Sequence, residues 1–213
     1  MKNRKHEKLA FVSLVTQRQS IGNISILENS LRTFGGELRE CPFWVMVPEI
    51  MNEFSSSEID QFKKPKVNVL TYDINPDLIE FPFSFKVFAA AKAEEILMNS
   101  AELLVWFDDD CIILQEPDEF LLPSTKIFGF RPVHHKLIGT NWGQKIDNFW
   151  EYLFKVFDVS LEKTFPMITH TGEKIYPYFN AGTYVVRPEM NLLNKWKNEF
   201  VQHYRNKFFL DVF

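Results

Sequence analysis

Leu103-Leu104-Val105-Trp106-Phe107-Asp108-Asp109-Asp110-Cys111-Ile112-Ile113-Leu114 sets three adjacent carboxylates between two apolar runs. Leu103–Phe107 has the length and unbroken apolarity of a strand buried on both faces. Strand, acidic turn and a second apolar strand are the expected local order. Three like charges in a tight turn repel one another, at a cost relieved by solvation or by a cation. Side chains alternate along a strand, so Asp108 and Asp110 are expected on one face and Asp109 on the other. A D-x-D pair at a strand end can offer oxygens to a hard divalent cation, Mn2+ or Mg2+, leaving positions open for phosphate oxygens and water. A solvated acidic turn is the alternative reading.

Upstream of this stretch, strands alternate with helices. Leu9–Thr16 (LAFVSLVT), Phe43–Val47 and Val67–Thr71 read as strands, the first of them central. Asn23–Phe34 reads as a helix stopped by Gly35-Gly36, and Ser55–Phe62 as a short one. Ser84–Ser100 is the clearest helix, rich in Ala, Lys and Glu, with Ser84 as its expected cap. Downstream, Lys126–Phe130 reads as a strand and Trp142–Phe157 as a helix. Tyr178–Val186 reads as loop and strand, and Met190–Phe209 as a long helix. Alternation with near-continuous apolar strands predicts an α/β fold with a mostly parallel central sheet covered by helices. Ligands of such sheets bind beyond the carboxyl ends of the strands.

Composition agrees with a globular chain: 213 residues, 46% hydrophobic and 24% charged, with 22 Phe to fill a core. The size predicts a single domain over residues 1–213. A net charge of −4 argues against a nucleic-acid partner. No apolar run reaches the ~20 residues of a transmembrane segment. Lys2, Arg4, Lys5 and Lys8 precede an apolar stretch that lacks a small-residue cleavage pattern, so it reads as a buried strand rather than a leader. Cys41 and Cys111 make no disulfide framework or CxxC motif and read as reduced, partly buried thiols; the expected compartment is the cytoplasm.

Two further features could carry chemistry. In Phe179-Asn180-Ala181-Gly182, the small residues let a ligand approach the backbone, and the Asn180 amide both donates and accepts hydrogen bonds, as sugar hydroxyls require. Lys86 falls in the first turn of its helix, where a cation opposes the macrodipole unless an anion binds there. An ordinary turn and a solvent-exposed lysine are the plain alternatives. His134, His135 and His170 read as structural, and Trp142 as a packing residue that could otherwise stack on a sugar face.

An apolar strand running into DDD, a Lys-bearing helix before it and FNAG about 70 residues after it resemble the GT-A nucleotide-diphospho-sugar transferases. The nearest likeness is to glycosyltransferase family 8, the group of glycogenin and the bacterial galactosyltransferases. The likeness runs from Leu9 to about Pro188 and is specific only at Phe107–Asp110 and Phe179–Gly182. It implies a Rossmann-like GT-A fold and transfer of a hexose from a nucleotide-sugar donor, such as a UDP-hexose, to a glycan, lipid or protein acceptor, with retention of configuration. It implies Asp108 and Asp110 as metal ligands, and Thr16, Lys86 and Asp109 beside the donor, Thr16 near its base. Asn180, the candidate catalytic residue, would line the sugar site with Ala181 and Gly182.

The family's late H-x-x-G-x-x-K segment, with a third metal ligand, and its Asp-Gln pair do not occur in these residues. Phe208-Phe209-Leu210-Asp211-Val212-Phe213 reads like the middle of an element, so a truncated chain or a shortened relative is expected. Two other readings stand beside the transferase. Asp108-Asp109-Asp110-Cys111-Ile112 approximates the D-x-D-x-T/V of haloacid-dehalogenase-type phosphatases, whose motif lies on a first strand rather than a fourth. A non-catalytic relative would keep the fold and act as a nucleotide-binding or interaction module.

Overall fold

The computed structural model describes residues 9–50, 54–81 and 83–207. The N-terminal lysines and the Phe208–Phe213 run lie outside the described residues. In chain order the strands are β1 (Leu9–Leu14), β2 (Phe43–Pro48), β3 (Val67–Tyr72), β4 (Leu103–Phe107), β5 (Phe128–Pro132), β6 (Met167–Ile168), β7 (Lys174–Ile175) and β8 (Phe179–Val186). The helices are α1 (Arg18–Phe34), α2 (Ser56–Ile59), α3 (Ser84–Leu97), α4 (Asn148–Val156) and α5 (Leu192–His203). The chain forms two compact units, Met1–Gly129 with Gly182–Phe213, and Phe130–Ala181.

The first unit is built on a six-stranded sheet in the order β3-β2-β1-β4-β8-β5. β1 pairs in parallel with β2 and β4, and β2 with β3, whereas β8 runs antiparallel to β4. The expected mostly parallel sheet is present, with β1 inside it. Every residue of β1 and β4 is buried, because helices take up both faces. On one face Leu9, Phe11, Phe43, Val45, Leu103 and Val105 pack in a common core with Ile21, Ile24, Leu27 and Leu31 of α1. Those four α1 residues recur at helical spacing and form its apolar stripe.

Several boundaries differ from the sequence reading. α1 begins at Arg18, five residues before Asn23, because Ser20 and Ile21 already belong to its buried side and no capping side chain marks the start. It ends as expected: the Gly35 N–H bonds to the Leu31 carbonyl at 2.8 Å. Gly36 has φ +56°, and a Cβ there would lie 2.0 Å from the Glu116 carboxylate. Ser84 does not cap α3. The N-cap is Phe83, and Ser84 is a buried first-turn residue. Cys111–Leu114 is not a strand: the Ile113 N–H is satisfied by the Ser30 hydroxyl at 2.9 Å instead of a ladder partner.

α5 receives its cap from another helix. Asn191 precedes it in the left-handed region at φ 52° and makes no side-chain cap. The wholly buried Glu94 of α3 accepts from Leu193 N at 3.0 Å, Asn194 N at 2.8 Å and Asn194 Nδ2 at 3.1 Å. These are charge-assisted bonds to the first-turn amides of a helix. Glu94→Gln keeps one acceptor oxygen and is expected to cost about 1–2 kcal/mol, read from urea unfolding. An unchanged unfolding midpoint would refute this account of the cap.

Buried acids of high intrinsic pKa give a second prediction. Burial pushes the Cys41 thiol up to about 12. It also raises the Tyr72 hydroxyl. The Tyr184 hydroxyl rises through burial first, then through the charges of Asp108 and Glu94. A folded-state pKa above the unfolded value contributes stability that is whole below the unfolded pKa and is lost above it. The unfolded thiol titrates near ~8.5, so stability is expected to fall from about pH 9 upward. Urea midpoints at stepped pH check this, and Cys41→Ala should flatten the first part of the decline.

The second unit carries the β6–β7 hairpin and α4. Its small core joins Val133, Met167 and Ile175 with Phe130 and Tyr178. α4 starts at Asn148 because Asp147 caps it, accepting from Trp150 N at 2.9 Å. The expected start at Trp142 fails because Asn141 bridges to Ile175 and Trp142 N bonds to the Lys174 carbonyl. The rings of His134 and His170 lie 5.2 Å apart, and those of His134 and His135 5.5 Å. Among the described residues, no helix is long and apolar enough to cross a membrane.

Candidate active site

In the first unit, the carboxyl ends of β1 and β4 form one edge. The parallel register that sets Val12 beside Trp106 leaves Thr16 and Asp108–Asp110 just past the last paired residues. Thr16 follows β1, half-buried, with its hydroxyl 3.5 Å from that of Ser20. β4 stops at Phe107, and the aspartates form a turn closed by Cys111 N to the Asp108 carbonyl at 3.3 Å. Strand alternation therefore does not reach Asp110.

Asp108 and Asp109 nevertheless turn to different helices. Asp108 Oδ2 lies 2.6 Å from Lys86 Nζ of α3. Asp108 Oδ1 accepts from Trp106 Nε1 at 2.9 Å. Asp109 Oδ2 accepts from Asn23 Nδ2 of α1 at 3.3 Å. Asp110 is exposed, with Oδ1 3.8 Å from the Cys111 sulfur. Burial is the main cause raising the Cys111 thiol's pKa, which keeps it protonated.

Lys86 is not the solvent-exposed lysine of the plain reading. Its side chain is 16% exposed and that of Asp108 28%, so the pair is partly desolvated. The sequence reading foresaw neither Trp106 nor Asn23 as a partner of the acidic turn. Trp106 was legible in principle: it lies two residues before Asp108, near enough in sequence for its indole N–H to reach the first carboxylate of the turn. Asn23 carried no comparable signal, since its contact spans 86 positions of sequence.

β8 enters the first unit at Gly182, whose carbonyl accepts from Asp108 N at 2.8 Å. Thr183 pairs with Phe107 across the two strands, and its hydroxyl lies 3.6 Å from the Cys111 sulfur. The FNAG motif is thereby fastened to the acidic turn at Gly182. Thr16, Lys86, Asp108, Asp109, Asp110 and Gly182 all belong to the first unit. Asn180, exposed, and Ala181, half-buried, are the last residues of the second.

The donor chemistry suits a hard divalent cation: carboxylate oxygens at a partly solvated turn. Among the described residues, no three His, Cys, Asp or Glu side chains are grouped to hold a metal. Of the two expected ligands, Asp108 is engaged at both carboxylate oxygens, by Lys86 and by Trp106, while Asp110 is exposed.

The α/β fold with its mostly parallel six-stranded sheet is shared by solved structures of GT-A glycosyltransferases. The galactosyltransferase LgtC, solved with donor and acceptor sugar analogues, is 17% identical at a TM-score of 0.50, covering 92% of this chain and 65% of that one. The mannosyltransferase Ktr4p of S. cerevisiae, solved with GDP, is 13% identical at 0.50, covering 93% and 64%. Core-mannan synthase A of Aspergillus fumigatus, in its Mn/GDP form, is 8% identical at 0.52, covering 94% and 65%. The chain spans just under two thirds of the length of these structures. No curated protein matches it. The chain belongs to the Rhodobacterales glycosyltransferase domain family, whose model matches residues 12–208.

Proposed function

We propose that the chain is a glycosyltransferase that moves a hexose from a nucleotide-diphosphate sugar to a glycan, lipid or protein acceptor, aided by Mn2+ or Mg2+ and with retention of configuration, as in glycosyltransferase family 8. The whole chain, Met1–Phe213, serves as one GT-A-like domain in this reading. The observation that carries it is the joining of Lys86, the Asp108–Asp110 turn and Gly182 at the carboxyl edge of the sheet. Family membership and the shared fold support it. Likeness to family 8 supports UDP as the donor nucleotide, while two of the similar structures hold GDP.

Asp108 and Asp110 would hold the cation, which when bound supplies Lewis-acid charge to the departing diphosphate. Lys86 places a fixed positive charge beside the same carboxylate, where diphosphate oxygens would gather. Thr16 lies at the neighbouring strand end for the nucleoside. Asn180, with Ala181 and Gly182, would hydrogen-bond and admit the sugar. The half-buried network of Asp108, Lys86 and Trp106 would fix these charges before the donor arrives, the condition for electrostatic catalysis.

Calorimetric titration with UDP and with GDP, each with and without Mn2+, tests the reading. Binding of one nucleotide that depends on Mn2+ is expected. Binding of neither would overturn it, and binding indifferent to Mn2+ would remove the metal. A nucleotide-binding module without catalysis remains the second reading. Such a module would bind nucleotide yet leave a UDP-sugar unconsumed in the presence of acceptor sugars.

A further inference from the structure

Trp106 is fully buried on β4 and faces Tyr184 across the β4–β8 pair, the two rings 6.0 Å apart and 2° from parallel. A buried indole has one polar atom, and that N–H must find an acceptor. Here the acceptor is Asp108 Oδ1 at 2.9 Å. Lys86 holds the other oxygen at 2.6 Å. Asp108 N is fixed as well, to Gly182 O at 2.8 Å. The residue is anchored at its backbone and at both carboxylate oxygens. Of the two side-chain anchors the indole is the rigid one: Lys86 reaches Asp108 through four rotatable methylenes, whereas the indole is clamped by Tyr184 within the sheet.

We infer that Trp106 is a positioning residue for the candidate donor site: its indole N–H sets the rotation of the Asp108 carboxylate and turns Oδ2 toward Lys86, on the side where cation and phosphate would gather. This rests on the functional reading above, which makes Asp108 a ligand. Partners that orient a metal-ligating carboxylate typically matter about 10–100-fold in affinity.

The test uses Trp106→Phe, which keeps an aromatic ring against Tyr184 and deletes the donor together with part of the indole's volume. The chain has five tryptophans, so the indole N–H signal missing from the 15N spectrum of Trp106→Phe identifies Trp106 in the wild type. That signal is expected to move upfield and to exchange faster in Asp108→Ala, and to stay put in Asp109→Ala. Mn2+-dependent nucleotide affinity, by calorimetry, is expected to fall about tenfold in Trp106→Phe. Free Mn2+ measured by electron paramagnetic resonance should show the same weakening without nucleotide. An indole signal indifferent to Asp108→Ala overturns the inference. So does a Trp106→Phe chain that binds Mn2+ and nucleotide as the wild type does, and either result leaves the functional reading intact. A wild type that binds neither nucleotide overturns the functional reading and this inference with it.

Discussion

Asp108→Ala is expected to abolish Mn2+-dependent nucleotide binding and to lower the stability of the metal-free chain by about 2–3 kcal/mol. The two losses have different origins. Stability falls because the substitution removes the acceptor of a buried indole N–H and the carboxylate that balances Lys86. Breaking a fully buried ion pair costs about 3–5 kcal/mol, and the partial exposure of this one lowers the figure. Binding falls because the charge that would meet the cation is gone. Asp108→Asn separates the effects: its amide oxygen can still accept from Trp106, so the hydrogen-bond share of the stability should return, while the ion-pair share and the binding stay lost. Asp110→Ala should match the loss of binding with little loss of stability, since Asp110 is exposed. Asp109→Ala should do least, because it gives up one 3.3 Å hydrogen bond to Asn23. Calorimetry paired with urea unfolding reads all four. Asp108→Asn binding nucleotide with Mn2+ as the wild type does would exclude Asp108 as a ligand.

What the sequence disclosed follows from how local each signal was. β1, β2 and β4 were legible because strands buried on both faces are near-continuously apolar, and the edge strand β3 by its Val and Thr residues; the ends of all four fall within two residues of the expected ones. The order of strands in the sheet follows from register between residues as far apart as Phe43 and Val67 or Leu9 and Leu103, which no short window carries. The start of α1 was missed because Gln17 offers no cap, and α4 was read too long because Trp142 and its neighbours bridge to Ile175 instead. At the candidate site, the acidic turn was legible as a cluster of charge. Its internal geometry was not, because strand alternation was carried past Phe107, where the strand stops. The fastening of Gly182 to Asp108 was likewise hidden: it is a backbone bond between segments more than 70 positions apart. Glycine's small size suggested room for a ligand, whereas the observed contact uses its carbonyl.

Lys86→Met is expected to change two affinities in opposite directions. In the metal-free chain Lys86 neutralises Asp108 from 2.6 Å, so it competes with any cation for Oδ2. Removing it leaves the turn more negative, and bare Mn2+ should bind about tenfold tighter, the effect of shifting a partly solvated ion pair by ~1.4 kcal/mol. Nucleotide diphosphate should behave oppositely. Two carboxylates cancel most of a divalent cation's charge, so the anion arrives at a nearly neutral site unless Lys86 supplies the remaining charge. In the presence of saturating Mn2+, Lys86→Met is therefore expected to weaken UDP or GDP by about 1–3 kcal/mol, while uridine or guanosine, lacking phosphates, should bind unchanged. Stability should fall as well, by about 1–2 kcal/mol, because the pair is partly desolvated rather than solvent-exposed as the plain sequence reading had it. Met fills the space of the lysine stem, so packing loss does not imitate the charge effect. Electron paramagnetic resonance for Mn2+ and calorimetry for the nucleotide give the two signs independently. Nucleotide affinity that rises along with that for Mn2+ would place Lys86 at Asp108 only, as a structural counter-ion with no part in holding phosphate.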